Sequence, residues 1–349
     1  MTNNINKLFV YGTLRKGEVR SKYLKDLELI SSFIIPGKLY KTPHNYPIAQ
    51  FDNTSSNKIH GELYNILPSK NNINNLDELE GINEGYFKRS EIFYNNNKFY
   101  LYEPDHKLQN YVNDINLIPH GNWLTHNGLA ISKPLMFAKN FEDIHKNYYR
   151  KKSNNKFEET VCLHGNLPIL ITCPHSTVHT RENKLKRQEF YTAAIGSVLH
   201  SKLDCFCLYS NRMQNSDPNY YDSSNFKEVL KNTTKKNNIK FIVDIHGTGE
   251  KRKSDIYPGI GNNKEFLLKR NDILDLLYSI SDKHNIKVGS LDVFPAAKQM
   301  TIAKYAARNL NVPCMQIEIN QKLRFPENDQ NFLKMINFLC EFIKEFIKK

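Results

Sequence analysis

No run in this chain approaches the ~20 consecutive apolar residues that a membrane-spanning helix needs, so no membrane association is expected. The opening residues, Met1 to Lys7, lack the basic start and apolar core of a secretory signal, and the cytoplasm is the expected location. Cysteine is sparse: six residues, at 162, 173, 205, 207, 314 and 340, follow neither zinc-ribbon spacing nor a disulfide framework. Cys205 and Cys207 stand two positions apart in an apolar run, so they share one strand face and read as buried free thiols. Repeats of solenoid type are also missing.

Acidic residues are outnumbered, and the net charge is +13. The lysines are nevertheless dispersed among asparagines, and no groove-reading helix, zinc finger or RNA-binding aromatic motif accompanies them. A nucleic-acid partner is therefore not expected, and an acidic small molecule is.

What is present divides in two. With 349 residues the chain exceeds one ordinary hydrophobic core. The first part alternates short strands, such as KLFVYGTL, FIIPGKLY and IHGELYNIL, with clusters of Pro, Gly, Asn and Asp, and one short helix is expected around Ile73 to Glu80. It reads as a compact, largely β domain over residues 1–128. A polar, charged stretch over 129–160 reads as a partly helical linker. From 161 to 349, apolar strand cores such as LPILITC, IKFIVDIH and CMQIEI alternate with helix-like runs, which indicates an α/β sandwich whose mixed, largely parallel sheet is covered on both faces.

In the first domain, Tyr11-Gly12-Thr13-Leu14 closes a strand in a glycine turn whose consecutive N–H groups suit a carboxylate. Farther on, Leu76-Asp77-Glu78-Leu79-Glu80-Gly81 sets Glu80 at a helix end, just before Tyr86-Phe87. Apolar neighbours there would raise its pKa towards a useful acid/base range. The ordered set VYGTLRKG, PGKLY, NYPIA, IHGELYNI, LDELEG, YFKR and HGNW resembles the γ-glutamylcyclotransferase-like superfamily over residues 7 to 125. The resemblance implies a small mixed β-barrel that binds a γ-glutamyl group at Tyr11, Gly12, Thr13 and Leu14. It also implies that Glu80 carries the proton as the substrate's own α-amine displaces the γ-amide, releasing 5-oxoproline.

In the second domain three apolar strands each end on a reactive side chain: His175 after LPILITC, His246 in VDIHG and Glu318 in QIEIN. Strand carboxyl ends are where α/β sheets place ligands. His175, Glu182 and His246 form a candidate two-His, one-carboxylate zinc set, with Glu318 as general base and Asp244 supporting His246. The order of these residues is similar to that in zinc carboxypeptidase-like enzymes. The segments CPHS, VDIHG and QIEIN resemble the N-formylglutamate amidohydrolase-like family over residues 165 to 325. Spacing to the second ligand varies in this group, so His179 or Glu189 stands as an alternative to Glu182. Arg181 and the Asn211-Arg212 pair are candidates for gripping a substrate carboxylate.

Together these features point to a bifunctional amide-processing enzyme acting on small γ-glutamyl and N-acyl or isopeptide substrates. Two other readings use the same residues: a zinc amidohydrolase with the first domain as a substrate-binding module, or a non-catalytic binder of anionic polymers.

Overall fold

A computed structural model describes residues 5–44, 46–66, 72–127, 133–153 and 159–348. The chain forms two compact units, Met1–Leu129 and Ala130–Lys349. No helix among the described residues is long and apolar enough to cross a membrane.

The first unit is built on a six-stranded sheet of order β3-β2-β4-β1-β6-β5. Its strands are β1 (Lys7–Val10), β2 (Glu28–Lys41), β3 (Pro47–Phe51), β4 (Lys58–Asn65), β5 (Phe87–Tyr94) and β6 (Asn97–Pro104). Neighbours are antiparallel except β1 and β6, which run parallel. The sheet curls, so that the N–H of Phe51 in β3 donates to the Glu103 carboxylate on β6 at 2.9 Å. The expected barrel is thus a curled mixed sheet whose hydrogen-bonded order still has β3 and β5 at its edges.

Helix α1 (Asn72–Leu79) buries Leu76 in the core and stops at Gly81, whose φ of +65° suits a residue without Cβ. Its Asp77 pairs with Arg89 of β5 and accepts a 2.7 Å hydrogen bond from the Tyr102 hydroxyl of β6. The helix end that carries Glu80 is thereby pinned to the sheet. Asn45 of the NYPIA element lies outside the described residues.

The second unit holds a mixed sheet of order β13-β14-β12-β8-β11-β7. Its strands are β7 (Thr160–Leu163), β8 (Leu167–Cys173), β11 (Cys205–Ser210), β12 (Phe241–Thr248), β13 (Ile256–Gly259) and β14 (Cys314–Asn320), and the hairpin β9 (His179–Arg181) and β10 (Lys184–Lys186) stands apart. The central four strands are parallel and both edges antiparallel. Leu170, Leu208, Ile242 and Cys314 join one core cluster with Phe226, Leu230 and Ile302. On the opposite face Ile171, Cys173 and Cys207 approach Gly196, so closely that an added Cβ would lie 2.8 Å from the Cys207 sulfur. Cys205 and Cys207 are buried free thiols.

Residues 129–160, expected as a linker, belong from Ala130 onward to the second unit. Pro134–His145 is a helix, α2, that buries Phe137, Phe141 and Ile144, and the Phe141 ring meets Tyr209 of β11 with centroids 5.6 Å apart. Residues 129–132 and 154–158 lie outside the described residues.

Candidate active sites

The first site forms where β1 runs out. Gly12 follows the strand so tightly that a Cβ there would sit 2.7 Å from the Pro47 ring, so the turn accepts only glycine without movement. The Tyr11 hydroxyl donates to the Tyr102 carbonyl at 2.7 Å, and Arg20 is tied back by a 2.9 Å bond from its N–H to the Thr13 carbonyl. Tyr11, Gly12 and Thr13 line a narrow cavity with Arg20, Tyr46 and Glu80. Leu14 does not line it, because its side chain packs into the hydrophobic core.

Glu80 is 9% exposed, and its Oε1 stands 4.0 Å from Arg20 Nη1. Burial raises its carboxyl from the ordinary 4.5 to about 7, against the opposing pull of Arg20. The same glutamate borders a larger cavity of about 460 Å³ on its outer side. Arg20, Tyr46 and Tyr102 were not singled out from sequence. They reach the site through chain folding, and no fixed spacing announces them.

In the second site, strand periodicity does the placing. Ile242, Asp244 and His246 alternate onto one face of β12, and Cys314, Gln316 and Glu318 onto the same face of β14. The register pairs His246 with Glu318 and Asp244 with Gln316. Each row begins apolar in the core and ends polar in a cleft of about 530 Å³. His175 comes from the turn just past β8.

Glu189 joins the two histidines. Its Oε1 lies 3.0 Å from His175 Nδ1, its Oε2 lies 3.2 Å from His246 Nδ1, and the Gly247 N–H donates to Oε2 at 2.9 Å. Both imidazoles rest their other nitrogen on a carboxylate: His175 Nε2 is 2.9 Å from Asp217, and His246 Nε2 is 3.1 Å from Asp244. Asp244 in turn accepts from Thr172 at 2.6 Å, and Asp217 from Arg181 Nε at 2.6 Å. Side-chain atoms of His175, Glu189 and His246 all fall within 4.8 Å of one another, a compact set of metal-competent donors. His175, His179 and Asp217 make a second such group, in which the His179 ring stacks on His175 at 4.0 Å.

The electrostatics follow from this crowding. Burial works against the charged form of His175, but Glu189 and Asp217 outweigh it and raise its pKa to about 9. His246 is likewise raised, by Asp244 and Glu189 against burial. Burial opposes the Glu189 charge as well, and the two histidines still hold its carboxyl well below the usual range. Glu318 reaches about 7 through burial, with Glu189 adding to the rise and His246 opposing it. His179 is pushed down to about 4 by burial and by its neighbour His175.

His175, His246 and Glu318 therefore meet, and Glu182 does not join them. It occupies the tip of the β9–β10 hairpin at φ +50°, exposed, with its carboxylate on the Tyr220 hydroxyl. Glu189, one of the named alternatives, is brought in instead by a 2.8 Å bond from its N–H to the His175 carbonyl. Arg181 lines the cleft. Asn211 and Arg212 do not: both are fully buried just beyond β11, and the Arg212 guanidinium stacks 4.2 Å over the Tyr148 ring. Asp217 and Asn219, which reach the site on a loop, had no strand or motif to mark them.

Residues 8–125 match the family model described as Gamma-glutamyl cyclotransferase, AIG2-like, and the match lies wholly within the first unit. Among individual proteins, the chain is similar to the Gamma-L-glutamyl-butirosin B gamma-glutamyl cyclotransferase of Niallia circulans. Identity is 40% over 74 residues, which covers 21% of this chain and 44% of that protein, less than half the relative's length. Solved structures with some likeness include protein ytfP from Escherichia coli (TM-score 0.26, 27% identity, 35% of this chain and 98% of that one). Another is a bacteriophage poly-gamma-glutamate hydrolase (TM-score 0.39, 15% identity, 54% of this chain and 89% of that one).

Proposed function

We propose that the chain is a bifunctional amide-processing enzyme, with a γ-glutamyl cyclotransferase in the first unit and a zinc-dependent amidohydrolase in the second. The observation that carries the first activity is the buried Glu80 carboxyl, raised to about 7 beside the Tyr11–Thr13 turn, inside the region that matches the cyclotransferase family.

The γ-glutamyl end of the substrate sits at the turn, where N–H donors suit its carboxylate. The substrate's α-amine nitrogen bonds to its own γ-carbonyl carbon, and the carbon–nitrogen bond to the leaving amine breaks. Glu80 takes a proton from the attacking amine and returns it to the departing nitrogen, so neither water nor a metal enters the balance. The products are 5-oxoproline and a free amine. A five-membered ring closure within one bound molecule supplies much of the acceleration through proximity.

For the second activity the donor chemistry fits a metal. Two Nδ1 atoms and one carboxylate converge, and each imidazole is backed by a further carboxylate, the outer arrangement that orients zinc-binding histidines. His175, Glu189 and His246 would hold zinc, which when bound polarises the scissile carbonyl and makes water acidic. Glu318, half-buried beside His246, accepts the proton of the attacking water and delivers it to the leaving nitrogen. Arg181, held by Asp217, and the basic side chains at the cleft mouth favour an acidic N-acyl or isopeptide substrate.

The test is mass-spectrometric: the purified full chain is incubated with a panel of γ-glutamyl-amines and N-acyl-glutamates. Release of 5-oxoproline from the first group and of free glutamate from the second is expected. Release of glutamate, rather than 5-oxoproline, from the γ-glutamyl-amines would remove the cyclotransferase half.

A further inference from the structure

The outer cavity beside Glu80 has a lining that the cyclisation step does not use. The narrow inner cavity and this larger one of about 460 Å³ share Arg20, Tyr46, Glu80 and Phe87. If the glutamyl group lies on the turn side, the scissile amide falls at Glu80 and the leaving amine extends outward. The outer space is therefore the leaving-group side.

Its wall carries two more carboxylates, Glu78 and Glu84, together with the rings of His44, Tyr46 and Tyr86. Among the described residues neither Glu78 nor Glu84 makes an ion pair, whereas the third carboxylate, Glu80, faces Arg20 at 4.0 Å. Arg20 is the single cationic side chain in the lining, and it is already engaged with Glu80. Lys107 stands 4.7 Å over the Tyr86 ring but is not part of that lining. In a chain of net charge +13, an acid-bearing wall runs against the overall field.

We propose that this cavity is a leaving-amine subsite that takes an amine bearing a second positive charge, such as a diamine or oligoamine. The proposal rests on the cyclotransferase reading of the first unit. The two free carboxylates attract the distal ammonium, and the Tyr46 ring adds a cation–π contribution. A distal carboxylate on the leaving group meets two like charges, and a plain alkyl chain gains neither interaction. Each exposed carboxylate contributes modestly, so the combined preference is about five- to tenfold.

Three γ-glutamyl conjugates of matched length separate the possibilities: those of 1,4-diaminobutane, butylamine and 4-aminobutanoate. The full chain should show kcat/KM highest for the diamine conjugate, by about five- to tenfold over the butylamine one, and lowest for the carboxylate-bearing one. The Glu78→Gln/Glu84→Gln double variant should bring the diamine-to-butylamine ratio close to one, as should high salt, because screening removes the attraction. Turnover of all three conjugates at similar rates, or a diamine preference that survives the double substitution, overturns the subsite and leaves cyclisation standing. No 5-oxoproline from any conjugate overturns the cyclotransferase reading and the subsite with it.

Discussion

Each unit raises one glutamate to about 7, yet their surroundings differ. Glu80 sits at a helix end against a glycine turn, and its one opposing charge is a partly exposed arginine at 4.0 Å. Glu318 sits in strand register beside His246, within a web of buried imidazoles and carboxylates. A lone desolvated carboxyl suits a reaction in which a proton makes a short return trip. A carboxyl beside clustered donors suits one in which a metal holds the other reactant. Burial thus produces similar acidity in both places, and the neighbours decide the chemistry.

The comparison depends on where the units divide, and this gives the largest expected effect. Residues 130–349 should yield soluble protein, whereas 160–349 should not. The shorter piece loses α2 and with it buried Phe137 and Phe141, each worth about 3–5 kcal/mol when truncated in a core. Expression and circular dichroism of both pieces decide it, and a folded 160–349 fragment would restore the linker.

Next come the two carboxylates proposed to carry the proton. Glu318→Gln should cost about 10²- to 10⁴-fold in hydrolysis with zinc retained and 5-oxoproline release unaltered. Glu80→Gln should show the reverse pattern, with a similar loss confined to cyclisation. Parallel assays of both variants on both substrates would expose any cross-effect, and a shared loss would mean that the sites are not separate.

A third prediction concerns the ligand set. Glu189→Gln should lower zinc content sharply and Glu182→Gln should leave it at the wild-type level, as measured by elemental analysis. Retention of zinc in the Glu189 variant would move the third ligand to another residue.

The smallest effect is on stability. The folded-state pKa of Glu80, about 7, lies above its ordinary 4.5. The native chain therefore binds more protons than the unfolded chain between those values, and stability falls as pH rises through that window. The stabilisation lost is about 3 kcal/mol. Glu80→Gln should accordingly be more stable than wild type by about this amount at pH 8 and nearly equal to it at pH 4.5. Urea titrations at the two pH values test this, and equal midpoints at pH 8 would mean that Glu80 is hydrated.

Much of this was legible in sequence where local pattern coincides with position. His175, His246 and Glu318 stood out because a strand that begins apolar and ends polar delivers its last side chains to the sheet's edge. The helix before Gly81 was equally plain. Asp217 and Arg20 were hidden, because loops bring them in and loops carry no periodicity, and Glu189 stood only as an alternative ligand. Glu182 was favoured by the residue order that the zinc-enzyme resemblance implies, but two left-handed residues, Glu182 and Asn183, form the tip of an exposed hairpin. The 129–160 stretch, expected as a partly helical linker, clusters with the second unit from Ala130 onward and holds helix α2. The polar, lysine-rich residues that follow, Lys146 to Ser153, set the composition of the stretch, while Phe137, Phe141 and Ile144 recur at helical spacing on the buried side of α2.

The most direct test of two chemically distinct sites is chelation of a single wild-type sample supplied with both substrates. Removal of zinc should stop hydrolysis, leave 5-oxoproline release at its original rate, and be reversed by added zinc. Loss of both activities on chelation, or of neither, would contradict the assignment of a metal-free site to the first unit and a zinc site to the second.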